Sequence, residues 1–229
     1  FDSQLEAIDA GIRVGFAYTT LGVVASPIEG YTELKTGETR DGKKYFKAYF
    51  SGPIRSAGTT ATCVVLMLID YLRQVFGYAR YDPSEQECKR FVTELLDYHD
   101  RVTNLQYLPT EEEMEFIAKN IPIQICGDPT EKREVSNYKD LPRVDSNFIR
   151  GGFCLVAAEG LAQKAKKGLR LLKKVQESGF EVKDWEWLDD YVELHEKRDS
   201  GKTDSSPTYI KDLVAGRPVF GHPGKGFRF

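Results

Sequence analysis

The chain has no surplus of positive charge. Lysine and arginine together number 32 against 35 aspartates and glutamates, a formal net charge of -3 over 229 residues. Any nucleic-acid contact must therefore come from a local patch and not from a whole-protein field. Cysteine is scarce too: Cys63, Cys88, Cys126 and Cys154 stand far apart, with no C-x-x-C pair. That spacing excludes zinc fingers and disulfide frameworks and suits reduced, buried thiols in a cytoplasmic protein. The longest apolar run, Ala61 to Ile69, is too short to cross a bilayer, and no signal peptide is visible, so no membrane role is expected. The three histidines (His99, His195, His222) are isolated, which argues against a histidine metal site. No serine sits in a nucleophile elbow, no cysteine has an evident histidine partner, and Asp189-Asp190 are adjacent, so their side chains diverge. From residue chemistry alone there is no active site.

What is present reads as a helix-rich chain, long enough for one large domain or two small ones. Leu5, Ile8, Ile12 and Phe16 recur at helical spacing. A β-hairpin follows, with arms Tyr31 to Lys35 and Lys44 to Phe50 and a turn at Asp41-Gly42. The face carrying Phe46, Ala48 and Phe50 is the one expected to be buried. The helix from about Thr60 to Phe76 is apolar nearly all round and should be central to the core. Ser84-Glu87 and Thr110-Glu113 are capping boxes, so Glu111, Glu112 and Glu113 serve a helix start better than a metal. Ile121 to Cys126 is a candidate strand. A long helix is expected from about Phe148 to Glu177, and another beginning with a cap at Asp184. The expected organisation is an accessory domain over 1–197, a flexible linker over 198–208, and the start of a following region over 209–229. Both ends of the chain are expected to be internal to a longer polypeptide.

Two stretches could carry binding chemistry. SGPIRSAGTT, residues 51–60, resembles a phosphate loop, but five residues separate Gly52 from Gly58 and Thr59 stands where a Walker lysine would be needed. Nucleotide hydrolysis is thereby disfavoured. Two readings stay open. In one, helix-start N–H groups, caps at Ser56 and Thr59, and Arg55 hold a phosphodiester oxygen. In the other, preferred one, this is a strand-to-helix corner with Arg55 in a structural ion pair. The second stretch is AEGLAQKAKKGLRLLKK. At 100° per residue Leu161, Ala165, Leu169, Leu172 and Val175 share one arc, while Lys166, Lys167, Arg170, Lys173 and Lys174 gather opposite. Such a stripe suits DNA phosphates or an acidic partner; the bland alternatives are a solvated face or internal pairing with the acidic EVKDWEWLDDYVELHE.

The strings YFSGPIRSAG, TNLQYLP, EVSNYKDLPRVDSNFIRGGFCLVAAEGLAQKAKK and GRPVFGHP…GFRF, in that order, closely resemble the N-terminal part of the large subunit of archaeal family D DNA polymerases. The similarity runs from about Gly22 to the last residue. The resemblance implies a two-subunit replicative polymerase whose large subunit polymerises DNA in a double-psi β-barrel and whose small subunit is a 3′–5′ exonuclease. Its catalytic aspartates and zinc sites lie downstream of any motif found here. This chain is then an accessory region, inactive alone, with no cofactor of its own; magnesium is expected for the complete enzyme. Its implied partners are the small subunit, the remainder of the large subunit, and DNA. Two departures stand out: Thr59 replaces a second glycine of the family's GPIRSAGGT, and the closing motif is shorter than usual, ending where the family continues into a basic RYGR-like run.

The fold class expected from both lines is α+β, a helix-rich domain around a small antiparallel sheet, with a degenerate KH-like part. The junction VFGYARYDPS lacks the GXXG loop with which a KH domain grips single strands. DNA-contact candidates are Arg55, Lys164, Lys166, Lys167, Arg170, Lys173 and Lys174. The rival reading is a protein-interaction scaffold for subunit assembly with no DNA contact; a third is an independent nucleotide-binding enzyme using the 51–60 loop.

Overall fold

The chain begins with a helix because Ser3 accepts the Glu6 N–H and leaves Ile8, Ile12 and Phe16 on one buried side. This helix, α1 (Gln4–Thr19), opens a computed structural model that describes residues 1–21, 27–57, 59–129 and 131–204. Residues 1–191 form one compact unit and 192–229 a second.

Three strands make the sheet: β1 (Tyr31–Glu38), β2 (Lys44–Phe50) and β3 (Gln124–Gly127), in the order β1-β2-β3. The hairpin is as expected, and Gly42 turns it with φ of 78°. Two features differ from expectation. The sheet is mixed, since β3 runs parallel to β2. The chain between these strands holds three helices, long enough to carry it back to the same end. In addition, β2 is buried on both faces, not only on the Phe46 side. Tyr45 packs on Tyr81 with ring centroids 5.0 Å apart, and Tyr49 meets Asp145 across the other face.

The three crossover helices are α2 (Thr59–Val75), α3 (Glu85–Arg101) and α4 (Glu111–Asn120). Both capping boxes form, so Glu113 is spent on the Thr110 N–H at 2.7 Å. After β3 comes α5 (Gly151–Leu155), which lies so close to β2 that a Cβ on Gly152 would sit 1.9 Å from the Phe50 carbonyl oxygen. The expected single helix over 148–177 is broken. A π-helical stretch, Val156–Ala162, follows α5, and α6 (Ala165–Glu177) starts anew after Lys164. All seven π residues are buried, and the wider turn carries Glu159 inward and sets Gly160 against Thr62.

The last helix, α7 (Trp187–Asp204), is not capped by Asp184. Asp184 has φ of 65° and instead accepts from Arg73 at 2.7 Å. Trp185 reaches back to the buried Asp70 at 3.0 Å, an anchor that displaces the helix start by two residues. Helix α7 continues to Asp204, so 198–204 of the expected linker is helical, carried on by the helix-forming run Glu193 to Arg198. The rest of that stretch and 209–229 lie outside the described residues. The α+β, helix-rich class stands.

Candidate nucleic-acid interface

The candidate surface is built on helix α6, and α6 is held by small residues. A Cβ on Gly168 would be 3.3 Å from the Cys63 sulfur of α2, and the Cys63 thiol donates to the Gly160 carbonyl at 3.0 Å. Burial alone pushes the Cys63 thiol up to about 12, so it stays protonated and can donate. This close seat buries Ala165 and Leu172 and half-buries Leu169 and Val175, as the periodicity predicts. The opposite face carries Lys166, Lys167, Arg170, Lys173 and Lys174, all exposed, with Lys164 half-exposed at the helix start.

Three of these cations converge. Lys167, Arg170 and Lys174 line one open groove with Leu171 and with Thr60 from the first turn of α2. Among the described residues none of the three has a carboxylate ion-pair partner. The α2 N-terminus adds partial positive charge to the same concavity. Lys173 differs, since its Nζ lies 3.1 Å from the Asp189 carboxylate. Both groups are more than half exposed, so that contact is weak. Internal pairing with the acidic segment thus holds at Lys173. The Arg170 Nε donates to the Lys166 carbonyl, at 3.4 Å.

Arg55 belongs to a different arrangement. It sits in the 3-10 turn Gly52–Ala57 and donates to Glu159 at 2.9 Å. The same Glu159 oxygen accepts the Gln106 N–H at 2.8 Å, and its side chain is only 4 % exposed. The pair ties the strand-to-helix corner to the π stretch and to the loop after α3. Arg55 thus has the structural ion pair that the corner reading expects. The side chains of Ser56 and Thr59, expected as caps, and all of Gly58 lie outside what is described.

Sequence reasoning missed the charge network beside the sheet. Glu94, fully buried, accepts from Arg90 at 3.1 Å and from Arg150 at 2.7 Å. Burial lowers the Arg90 pKa; at Arg150 burial acts the same way but the Glu94 carboxylate outweighs it and raises the pKa. Arg143 bridges Asp82 and Glu87, both at 2.5 Å. Burial opposes ionisation of Asp82, yet hydrogen bonds from Arg40 and Arg143 bring its pKa down to about 2. Lys47, buried on β2, pairs with Asp145 at 2.6 Å. These partners lie tens of residues apart, so no local motif announces them.

His99 also has a structural partner, its Nδ1 accepting the Leu105 N–H at 3.0 Å. Among the described residues no three His, Cys, Asp or Glu side chains gather as metal ligands. All four cysteines are free and buried. Among the described residues no helix is long and apolar enough to cross a membrane.

Known proteins resemble this chain along its whole length. Residues 1–194 match the family described as DNA polymerase II large subunit DP2, N-terminal. The DNA polymerase II large subunit of Methanosarcina barkeri is 44% identical over 238 residues, covering 100% of this chain and 20% of that protein. The protein of the same name from Methanococcoides burtonii is 44% identical over 240 residues, with the same coverage. That of Nanoarchaeum equitans is 40% identical over 258 residues, covering 97% of this chain and 20% of the relative. The chain therefore spans about a fifth of the length of these relatives. With 194 of its residues matched to one family, the chain belongs to the N-terminal region of the archaeal DNA polymerase II large subunit.

Proposed function

We propose that this region is an accessory part of a two-subunit replicative DNA polymerase of family D, and that its α6 groove holds the phosphodiester backbone of primer-template DNA. One observation carries the DNA contact: Lys167, Arg170 and Lys174 line a common groove and have no carboxylate partner among the described residues. In a chain of net charge -3, where Arg55, Arg73, Arg90, Arg143 and Arg150 all meet carboxylates, such a cluster calls for an external anion. DNA phosphates match it, because contact with each releases condensed counterions and needs no base recognition. Helix α6 presents the cations at i, i+3 and i+7, a row that follows one helix edge. Lys164 and Lys166 extend the row. Arg55 contributes by fixing the corner that starts α2 and not by touching DNA.

In this reading nucleotide addition belongs to the rest of the large subunit and exonucleolytic proofreading to the small subunit. The region's role is to brace the catalytic part and steady the duplex, inside the cytoplasm where replication takes place. Charge reversal of Lys167, Arg170 and Lys174 in the complete two-subunit enzyme tests it. Primer-template affinity is expected to fall by tenfold or more at moderate salt, and the log–log salt slope by about 2–3, near one unit per lost phosphate contact. Unchanged affinity and slope would remove the DNA contact. The scaffold reading is favoured by a separate feature, the half-exposed apolar stripe of α2, which needs a protein partner and not a polyanion.

A further inference from the structure

Helix α2, apolar nearly all round, buries Cys63, Val65, Leu66, Met67 and Ile69 in the core, but one apolar face is left uncovered. Val64, Leu68, Tyr71 and Val75, at i, i+4, i+7 and i+11, form a stripe that is half-exposed to exposed. Val64, Leu68 and Tyr71 of this stripe, with Leu171 and Val175 of α6 and the following Phe180, line a groove of about 260 Å³. Phe180 is 53% exposed and meets Tyr71 edge-on, with centroids 6.0 Å apart. On the adjoining helix Gly15 abuts Leu68, and its neighbour Val14 and Tyr18, one turn on, are 71% and 76% exposed. The apolar surface thus continues past the groove onto α1. A contiguous apolar patch of this kind marks an interaction site.

The lining dictates the chemistry of what fits. Every lining side chain is apolar apart from the Tyr71 hydroxyl, so an occupant finds almost nothing to hydrogen-bond. An extended segment would bury unpaired backbone groups there, whereas a helix satisfies its own. The groove lies between helices and offers no strand edge, which again selects a helix laying its apolar face into it. Its size dictates the source. Stable complexes of separate proteins use roughly 20–30 residues a side, several times what this groove supplies. A segment tethered in the same polypeptide needs far less, because its effective concentration reaches on the order of millimolar. Proteins of this family place the region within a polypeptide about five times its length, so a tethered partner is at hand.

We propose that the α2–α6 groove docks an apolar helix face supplied by another part of the same large-subunit polypeptide. This rests on the family reading and deepens its bracing role; the cations proposed for DNA line a neighbouring groove that shares Leu171 with this one.

The test uses the complete two-subunit polymerase carrying the photo-crosslinker p-benzoylphenylalanine in place of Phe180, with Phe148, which is 39% exposed and does not line the groove, as the control position. After irradiation, cross-linked peptides are mapped by mass spectrometry, and primer extension is measured on the same sample. The expected result is one dominant Phe180 adduct, within a single large subunit, to a segment beyond this region, at least tenfold above the control. An adduct to the small subunit or to a second large subunit overturns the proposal, as does no adduct above control. If the sample extends primers but Phe180 captures nothing, the docking falls while the polymerase reading stands. If it extends no primers with or without the probe, both fall. A Leu68→Asn, Val175→Asn variant is expected to abolish capture by the Phe180 probe while leaving the DNA salt slope unchanged.

Discussion

Two sets of cations in this chain have opposite fates. Beside the sheet, Arg90, Arg143 and Arg150 lie within 3.1 Å of carboxylates and are mostly withdrawn from water. On α6, Lys167, Arg170 and Lys174 stay exposed around one groove. Residue type does not separate the sets, since arginine occurs in both. What separates them is whether the fold brings a carboxylate within reach. A buried pair holds elements together because removing one partner strands the other charge; an exposed unpaired row is available to a ligand. Arg55 shows how close the two cases come. It is 36% exposed, in a loop that resembles a phosphate cradle, yet Glu159 claims it.

The comparison breaks most easily at Glu94. Glu94→Gln leaves Arg90 and Arg150 buried without a counter-charge, and breaking such a pair costs roughly 3–5 kcal/mol. Denaturant unfolding of the chain is expected to lose its native baseline or shift to much lower midpoint. A near wild-type midpoint would show that these arginines are not held by the network. Arg55→Ala should cost about 1–3 kcal/mol, since Glu159 keeps the Gln106 N–H but loses its cation. In the complete polymerase the same substitution should leave the DNA salt slope alone, which distinguishes a corner residue from a phosphate ligand.

A comparable effect is expected at Asp82 and is read through pH. Its folded pKa of about 2 lies below the ordinary value of 3.8, so its contribution is full above pH 4 and disappears as pH falls through 2. Thermal stability between pH 4 and 2 should therefore fall less steeply in Asp82→Asn than in the parent chain. An identical slope would show that the Arg40 and Arg143 contacts do not hold the carboxylate ionised. The smallest effect is expected at Lys173. Lys173→Met should change stability by less than about 0.5 kcal/mol, because its pairing with Asp189 is solvent-exposed on both sides.

The features legible in the sequence are those encoded within a few residues. Both capping boxes, the Asp41-Gly42 hairpin and the two faces of α6 were readable because their partners lie within a few residues of one another. The break in the long helix was not, since the apolar spacing runs through Val156–Ala162 while the backbone widens to seat Gly160 on Thr62. Nor was the parallel return of β3, which depends on the packing of three intervening helices. The fate of Arg55 hung on Glu159, 104 residues away. The candidate row on α6 was thus visible as a stripe; that Lys167, Arg170 and Lys174 would share a groove with Thr60, and that Lys173 would not, required the placement of α2 and Asp189.

The central claim is that the α6 row is kept open for DNA while Arg55, Arg90, Arg143 and Arg150 are held by carboxylates of the fold. Primer-template binding by the complete polymerase, measured across a salt series for the parent and for a Lys167→Glu, Arg170→Glu, Lys174→Glu variant, tests it most directly. The account predicts an unchanged unfolding midpoint, affinity lower by tenfold or more, and a salt slope reduced by about 2–3. A variant that binds with the parent's affinity and slope would contradict it.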